Sequence, residues 1–326
     1  MKKPVSKAHA FWITKVGQGS IKTENLESAS TGWCEVETLF SAISPGTEKL
    51  IFRGHVPETV YKEMRCPYMG GTFPAPVKYG YSLVGRVTEG PTKLLDRIVH
   101  ILHPHQDMCV VRMGDIYIVP DDVPPSRATL ASNMETAVNA IWDSQITDEE
   151  KALVVGFGII GSLVARVLID MVKVAVDVLD TDPVKVRLAE EIGFSTILTE
   201  DALGQYDVTF HASGTGLGLQ TAIDSLRFEG RVIELSWYGD QPVTLQLGGS
   251  FHSQRKRIIS SQVSYLPKHL RSEWNQEKRK DLVFSLLKKE LYDLHITHST
   301  SFHQLPEVFQ KLNNDYNGLA YLVEYQ

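Results

Sequence analysis

A glycine pattern between two apolar stretches constrains the fold of this chain more than any other feature. It follows the apolar run 152–155 and opens an apolar, helix-like stretch. This spacing is typical of a dinucleotide-binding turn from strand to helix: the first glycine permits the turn, the second lets a pyrophosphate approach the backbone, and the third lets the helix pack on the strand. We therefore expect the helix N-terminus to bind a pyrophosphate. The predicted contacts are Gly156, Gly158, Ile159, Ile160 and Gly161.

An aspartate follows the next apolar run, 174–179. Asp180 is placed to accept hydrogen bonds from the adenosine ribose, and its charge would repel the 2′-phosphate of NADP. The sequence therefore predicts NAD(H) as the cofactor. Asp177 competes for this role, but it falls inside the run and is better interpreted as a sheet residue. The alternative for Asp180 is a solvated carboxylate at a strand end.

The bulk composition limits the class of protein. A chain of 326 residues with 43% apolar content fits two globular domains. The net charge of −6 argues against a nucleic-acid partner. The three cysteines are odd in number and widely spaced, which favours reduced thiols in the cytoplasm. The most apolar stretch, 152–179, is interrupted by glycines and charged residues, so we expect no membrane span.

The chain divides by pattern into two kinds of structure. Up to about residue 125, short β segments alternate with Pro and Gly turns, as in a small barrel. Strands and helices then alternate, which predicts a doubly wound parallel sheet. We expect a first domain at 1–125, completed by 262–326, and a nucleotide-binding domain at 126–261.

Four segments resemble the medium-chain dehydrogenase/reductase superfamily, which is alcohol dehydrogenase-like. Ile43–Glu48 resembles its Cys-Gly-Thr-Asp segment, and Gly80–Val87 resembles its Gly-His-Glu-x-x-Gly-x-Val segment. Phe210–Gly214 and Ser236–Gly239 look like the two strand ends that flank the nicotinamide. The resemblance implies an α/β protein with a GroES-like β-barrel catalytic domain and a Rossmann domain. It also implies cofactor contacts by Ser213, Gly214, Trp237 and Tyr238.

A shorter match concerns one subgroup of this superfamily. Ile43–Leu50, together with the tyrosine after Gly80, is similar to bacteriochlorophyllide a dehydrogenase.

The sequence departs from the superfamily where catalytic zinc is bound. Zinc members use a cysteine, a histidine and a third cysteine or glutamate. Here the first position falls on Ser44 or Pro45, the second on Tyr81, and the third near Ala131-Ser132. The four-cysteine lobe that binds structural zinc is missing between residues 97 and 111. The chain is therefore identified as a member that lacks zinc, and we expect no metal site.

A substitute metal site has one candidate. His103, His105 and Asp107 alternate along the chain, so their side chains would share one face of a strand. We favour the alternative, a polar strand end. Cys109 follows the same pattern and is more often a buried thiol than a ligand.

Without zinc, a substrate oxygen must be polarised by hydrogen-bond donors. Thr47 matches the superfamily's proton-relaying hydroxyl, and Tyr81 stands where a zinc-binding histidine would be. These two are the predicted catalytic residues. Each also has a structural alternative, Thr47 as a turn residue and Tyr81 as a core aromatic. His103, His105 and Tyr238 are secondary candidates.

Three functions remain open. The first is zinc-independent interconversion of an alcohol and a ketone or aldehyde by NAD(H). Its small-molecule substrate would be bulky, since segment 57–76 is rich in aromatic residues and methionine. The second is reduction of quinones or enones, and the third is NADH sensing without turnover.

The resemblance also implies a homodimer. Residues 243–247 alternate like a strand with one buried face, so we expect them to form an edge strand.

Overall fold

The computed structural model describes residues 6–314 and 317–325. Its residues form two compact units. Unit 1 comprises Met1–Ser132, Phe284–Tyr316 and Ala320–Gln326; unit 2 comprises Asn133–Val283 and Asn317–Leu319. These bounds place the junctions after Ser132 and Val283, whereas the functional division expected after residues 125 and 261 stays a prediction.

The strands, in chain order, are β1 (Ser6–Lys15), β2 (Gln18–Leu26), β3 (Trp33–Ile43), β4 (Gly70–Gly71), β5 (Val77–Lys78), β6 (Leu83–Glu89), β7 (Ile98–Ile101), β8 (Met108–Arg112), β9 (Tyr117–Ile118), β10 (Ala152–Val155), β11 (Val176–Leu179), β12 (Ser195–Thr196), β13 (Tyr206–His211), β14 (Leu226–Glu234), β15 (Arg257–Ser260), β16 (Ile296–Ser301) and β17 (Ala320–Glu324).

The α-helices, in chain order, are α1 (Pro45–Phe52), α2 (Pro125–Ala128), α3 (Ala131–Ser144), α4 (Ile159–Val167), α5 (Pro183–Glu191), α6 (Thr199–Ala202), α7 (Gly216–Asp224), α8 (Ser250–Ser253), α9 (Gln276–Leu287) and α10 (Leu305–Asn314). Across the residues that the structure describes, none of the helices is long and apolar enough to cross a membrane.

The strands of unit 1 pair antiparallel, except for the parallel pair of β16 and β17. A four-stranded sheet has the order β2-β1-β5-β4. A second, seven-stranded sheet has the order β16-β17-β3-β6-β7-β9, with β8 paired to β3. β2 pairs with β1 along nearly its whole length, although its polar sequence did not mark it as a strand.

The core of unit 1 follows from alternation along β3. Cys34 and Val36 point inward, while the neighbouring Glu37 is exposed. Both inward residues join a buried cluster with Cys109 of β8. The interpretation of Cys109 as a buried thiol is therefore confirmed, and all three cysteines of the chain are free thiols.

Unit 2 is a doubly wound α/β unit. Its sheet has the order β12-β11-β10-β13-β14-β15, and all of its strand pairs are parallel. Chain order reverses between β10 and β13, which makes this the switch point where α/β sheets bind ligands. β10 is buried along its whole length because helices cover both faces of such a sheet.

The expected edge strand at residues 243–247 is wrong. This segment has no regular secondary structure, and the sheet position beside β14 is taken by β15. Val243 and Leu245 instead pack against the core of unit 2. Alternation alone therefore did not distinguish a strand from a loop that packs every second residue.

Candidate functional site

The glycine loop, residues 156–161, leads from β10 into α4. Gly156 has φ +99°, and a Cβ there would lie 2.5 Å from the backbone nitrogen of Ser213. A Cβ at Gly161 would overlap the carbonyl oxygen of Gly156, so the helix packs as closely as predicted. A Cβ at Gly158 would meet no atom within 4 Å. The turning and packing roles of the first and third glycines are confirmed, and the pyrophosphate role of the second stays a prediction.

The N-terminus of α4 presents backbone N–H groups at this loop. Gly158 is the N-cap, and Ile159 and Ile160 form the first turn. The first N–H groups of a helix have no acceptor within it, and the helix dipole favours an anion there. Ile159 is buried and anchors this end of the helix in the core. The arrangement suits a phosphate group.

Asp180 follows β11 and supports the glycine loop. Its carboxylate accepts the N–H of Phe157 at 2.6 Å and the N–H of Asp182 at 2.9 Å. The side chain therefore lies at the loop that is predicted to hold the pyrophosphate. Asp177 lies inside β11 and accepts a hydrogen bond from the Tyr206 hydroxyl at 2.8 Å, so it is a sheet residue as interpreted.

Lys185, which the sequence analysis did not single out, lies within electrostatic range of Asp180 and Asp182. Its ammonium donates to the carbonyl of Gly318. Burial lowers the pKa of Lys185 to about 8, and the two aspartates oppose this shift. Lys185 comes shortly after Asp180 on α5, and this proximity in sequence is the signal that could have identified it.

A second polar cluster lies at the carboxyl ends of β13 and β14. The Nδ1 of His211 lies 2.9 Å from the carboxylate of Glu234, and its Nε2 lies 2.6 Å from the Oγ of Ser213. We call these three residues the edge triad. His211 is buried and the Glu234 side chain is 12% exposed, while Ser213 is partly exposed.

Tyr238 and Ser236 fix the carboxylate of the edge triad. The Tyr238 hydroxyl donates to Glu234 at 3.0 Å, and the Ser236 N–H donates to it at 2.6 Å. The Ser236 hydroxyl accepts the N–H of Gly214 at 3.1 Å. Burial and the charge of Glu234 raise the pKa of Tyr238, so its hydroxyl keeps its proton. Trp237 is partly buried beside them.

Sequence reasoning identified Ser213, Gly214, Trp237 and Tyr238 but missed His211 and Glu234. The last two are direct partners in the register of β13 and β14. A polar residue closing each of two apolar strands was the available signal. The structure thus brings together the two strand ends, Phe210–Gly214 and Ser236–Gly239, that the resemblance indicated.

Unit 1 contains a separate group of hydroxyls around Tyr81. Its hydroxyl is hydrogen-bonded with the side chains of Ser44 and Thr47. Ser44 is the N-cap of α1 and Pro45 its first residue, an arrangement typical of helix starts. Burial, then the charge of Glu48, raise the pKa of Tyr81 to about 12 against those two hydrogen bonds. The structure therefore brings both predicted catalytic residues together.

A second serine–histidine–glutamate chain lies directly behind this group. Glu48 accepts the backbone N–H of Ser44 at 2.7 Å and lies 2.9 Å from the Nε2 of His105. The Nδ1 of His105 is 2.7 Å from the Oγ of Ser41, which is 2.9 Å from the Tyr325 hydroxyl. We call Ser41, His105 and Glu48 the buried triad because each of them is at most 2% exposed.

The three candidate metal ligands have different hydrogen-bond partners and do not form one site. His105 belongs to the buried triad, Asp107 binds the ring of His9 at 2.7 Å, and His103 contacts the Pro104 carbonyl at 2.9 Å. In the chain outside positions 1–5, 315–316 and 326, no group of three or more His, Cys, Asp or Glu side chains is arranged to hold a metal.

In this chain, hydroxyl side chains lie at the positions where zinc members of the superfamily that it resembles carry their metal ligands. The Ser132 hydroxyl donates to the Tyr81 carbonyl at 2.8 Å, and the Tyr81 hydroxyl bonds with Ser44. Zinc in proteins is held by thiolate, imidazole or carboxylate. These residues therefore do not fit a zinc ion.

The aromatic segment 57–76 packs within unit 1. Tyr61 contacts the ring of Phe73 at 5.5 Å, and Tyr68 contacts the ring of His103 at 5.1 Å. Tyr68 also lines a cavity of about 430 Å³. Ring packing therefore accounts for part of this segment.

Comparison with known proteins supports the fold. No protein-family model and no curated protein matches the chain by sequence. Acetophenone reductase from Geotrichum candidum, solved with NAD, is similar with TM-score 0.79 and 15% identity, covering 99% of this chain and 98% of that chain. For 2R,3R-butanediol dehydrogenase from Bacillus subtilis the values are 0.79 and 17%, over 97% and 99%. For an alcohol dehydrogenase from Escherichia coli, solved with NADH, they are 0.77 and 18%, over 98% and 99%. At these identities the similarity establishes the shared fold, and the predicted fold class is confirmed.

Proposed function

We propose that the protein is an NAD(H)-dependent oxidoreductase that interconverts an alcohol and a ketone or aldehyde without catalytic zinc. The observation that carries this proposal is the glycine loop of unit 2, with an open backbone at Gly158 and the carboxylate of Asp180 beside it. Two proteins of the same fold were solved with NADH and NAD. The proposal includes a small-molecule substrate and a cytoplasmic location.

Asp180 supports NAD(H) over NADP(H). Its carboxylate is held at the loop by two backbone N–H groups, so its position is fixed before a ligand binds. A fixed anion can pair with a ribose diol and repels a phosphate on the same ring. Lys185 offsets part of this charge.

The test of the cofactor is a fluorescence titration with NADH and NADPH. We expect NADH to bind more tightly than NADPH. In Asp180→Asn the ratio of the two affinities should become smaller, because the substitution removes the charge while keeping an acceptor oxygen. Asp177→Asn, inside the preceding strand β11, is the matched control and should leave the ratio of the two affinities unchanged. Tighter NADPH binding by the native protein, or an unchanged ratio in Asp180→Asn, would contradict the assignment.

Independence from zinc is supported by the hydroxyl side chains at Ser44, Tyr81 and Ser132. We expect the purified protein to contain no stoichiometric zinc and its activity to survive chelators. Metal analysis that finds about one zinc per chain would overturn this part of the proposal, because zinc is held by thiolate, imidazole or carboxylate ligands.

The proposed proton donor is the Tyr81 hydroxyl. When bound, a nicotinamide supplies or accepts the hydride. The substrate oxygen then needs a proton, and a phenol whose pKa is raised to about 12 carries one at neutral pH. Ser44 and Thr47 are hydrogen-bonded with that phenol, so either hydroxyl can return the proton. The buried triad holds the backbone of Ser44 through Glu48 and thereby positions this group.

Two variants test the donor. Tyr81→Phe and Thr47→Val preserve shape while removing one hydroxyl, and a positioned proton donor contributes roughly 10²–10⁴-fold to rate. We expect kcat to fall within that range while NADH affinity stays unchanged. Tyr79→Phe is the control, because its hydroxyl donates to the Met64 carbonyl, away from Ser44 and Thr47. A fall of less than about threefold in both variants, well below that range, would exclude these donors.

Steady-state NADH oxidation with a panel of ketones, enones and quinones tests the reaction class. We expect turnover with ketones or aldehydes, and preferentially with bulky ones, because segment 57–76 is rich in aromatic residues and methionine. Turnover confined to enones or quinones would indicate a double-bond reductase. NADH binding without any turnover would indicate a sensor.

We also propose a homodimer. β15 is the end strand of the sheet of unit 2, and an exposed sheet edge is a ready site for pairing with another chain. Light scattering over a dilution series should give twice the mass of one chain. A single-chain mass at micromolar concentration would contradict this.

A further inference from the structure

We propose that Ser213 is a nucleophile for acyl transfer, activated by His211 and Glu234, with uncharged esters as substrates. The proposal starts from the two short contacts of His211, which lies 2.6 Å from the serine oxygen through Nε2 and 2.9 Å from the glutamate through Nδ1. Nucleophile, base and orienting acid in that order form the arrangement that activates a serine.

The hydrogen bonds around Glu234 fix the tautomer of His211. The carboxylate accepts from the Ser236 N–H and from the Tyr238 hydroxyl, so it has no proton of its own to give. Nδ1 therefore carries the hydrogen and donates it to Glu234. Nε2 is left as an acceptor for the Ser213 hydroxyl, which is the state a general base requires.

The surroundings of Ser213 also suit a nucleophile. It lies in the turn between β13 and α7, at the carboxyl edge of the sheet, and it is partly exposed. Its oxygen accepts the Thr215 N–H at 3.3 Å, which holds it in place. Of the first N–H groups of α7, that of Gly218 donates to the Thr215 hydroxyl at 3.0 Å, and those of Gly216 and Leu217 have no acceptor within the helix, the kind of donor that stabilises an oxyanion.

Gly218 keeps the serine and the histidine in contact. A Cβ at this position would overlap the Ser213 oxygen and lie 3.0 Å from the Nε2 of His211. The adjacent Leu217 is 85% exposed. We infer uncharged esters, because the carboxylate of Glu234 lies in the same cluster as the serine and would repel an anionic substrate.

Hydrolysis at this serine needs only the ester and water. As Ser213 Oγ bonds to the ester carbonyl carbon, its proton passes to Nε2 of His211. The tetrahedral oxyanion then collapses, the bond to the alcohol oxygen breaks, and the departing alcohol takes the proton from Nε2. A water molecule repeats the sequence on the acyl-serine and releases the carboxylic acid. Glu234 stabilises the imidazolium in both halves and stays ionised.

p-Nitrophenyl acetate, with the full-length protein, tests this inference. We expect release of p-nitrophenolate and, by peptide mass spectrometry, one acetyl group on Ser213. Ser213→Ala and His211→Gln should each lower the rate by on the order of 10²-fold or more, since each removes a unit of the triad. Gly218→Ala should lower it too, because the new methyl group separates the serine from the histidine without removing a polar atom.

Controls keep the outcome interpretable. Ser264 is exposed and its hydroxyl accepts a hydrogen bond from the Gln262 amide, so Ser264→Ala should leave the rate unchanged. Circular dichroism and thermal unfolding establish that each variant is folded. Ser213→Cys retains a nucleophile and should still become acylated. An unchanged rate in Ser213→Ala, or acetyl groups on lysines alone, would overturn the inference.

NADH separates this inference from the proposed function. Ser213 and Gly214 are also proposed cofactor contacts, so NADH should slow acylation in competition with the ester. Acylation of Ser213 without any NADH binding would sustain the inference and refute the proposed function. NADH binding without acylation would overturn the inference and leave the proposed function to be decided by turnover.

Discussion

The two units each contain a serine, a histidine and a glutamate in a hydrogen-bonded chain, yet the two chains differ in burial and in ring orientation. In the buried triad the imidazole presents Nδ1 to the serine and Nε2 to the glutamate. In the edge triad these contacts are reversed. The same three residue types therefore provide no function by themselves. Their position in the fold decides what they can do.

Burial separates the two roles. All three residues of the buried triad are inaccessible, and its glutamate also holds the first turn of α1 through the Ser44 N–H. The serine of the edge triad is partly exposed at the end of a strand. A buried, fully satisfied polar network rigidifies its surroundings. The partly exposed serine beside the His211 imidazole can instead meet a substrate, and this is the difference that the following experiments test.

The largest expected effect comes from removing each glutamate. Glu48→Ala leaves the Ser44 N–H and the His105 ring without their buried acceptor, which should lower the free energy of unfolding by about 3–5 kcal/mol. Glu234→Ala should cost about 1–3 kcal/mol, because water can reach its partly exposed site. Denaturant titration measures both losses.

A surface glutamate provides the control for that comparison. Glu37→Ala, at an exposed position of β3, should change the free energy of unfolding by about 0.5 kcal/mol or less. Equal losses for Glu48→Ala and Glu234→Ala would mean that burial does not distinguish the two triads.

The sequence predicted best those features whose constraints are local. Gly156 and Gly161 need no side chain because atoms a few residues away in the chain, or in the adjacent strand end, occupy that space. The spacing of the glycines records this directly, and Asp180 follows one strand later. For the same reason the doubly wound sheet of unit 2 was predictable from alternation of strands and helices.

Features that depend on distant pairing were not predictable. His211 and Glu234 meet only because β13 and β14 pair in one particular register, which a single sequence does not specify. The buried triad likewise joins β3, α1 and the segment before β8. Thr47 and Tyr81 were found through resemblance, and their contact became visible only in the fold. Residues 243–247 show the opposite error, where a local pattern was taken for sheet pairing.

A third histidine extends the comparison of the two triads, because its ring is buried and contacts a backbone carbonyl where theirs contact a carboxylate. His103 is 4% exposed and contacts the Pro104 carbonyl. Burial, with the charges of Lys78 and His105, lowers its pKa to about 3 against that hydrogen bond. Below about pH 6.5 His103 therefore binds a proton in the unfolded chain but stays neutral in the folded protein. Stability attributable to this group is complete above about pH 6.5 and falls as the pH is lowered toward about 3.

His103→Gln tests this difference. Between about pH 6.5 and about pH 4.5 the native protein should lose about 2 kcal/mol of unfolding free energy more than the variant does. Urea titrations at both pH values measure it, with His298→Gln at an exposed position as the control. The same acid loss in the native protein and in His103→Gln would show that this ring is not kept neutral by burial.

The smallest effect concerns a carboxylate whose basic neighbour acts through charge rather than through a direct hydrogen bond. Lys185 lies in the field of Asp180, and burial lowers its pKa to about 8. Raising the pH from about 7 to about 9 should neutralise this lysine and leave the charge of Asp180 less compensated. Given the proposed cofactor, NADPH should then bind less well relative to NADH by roughly fivefold, which corresponds to about 1 kcal/mol. In Lys185→Met the preference for NADH over NADPH should be high at both pH values and independent of pH. Lys173→Met, at an exposed position, should behave like the native protein. A native ratio that does not change with pH, while Asp180→Asn still narrows it, would show that the aspartate selects the cofactor without any contribution from Lys185.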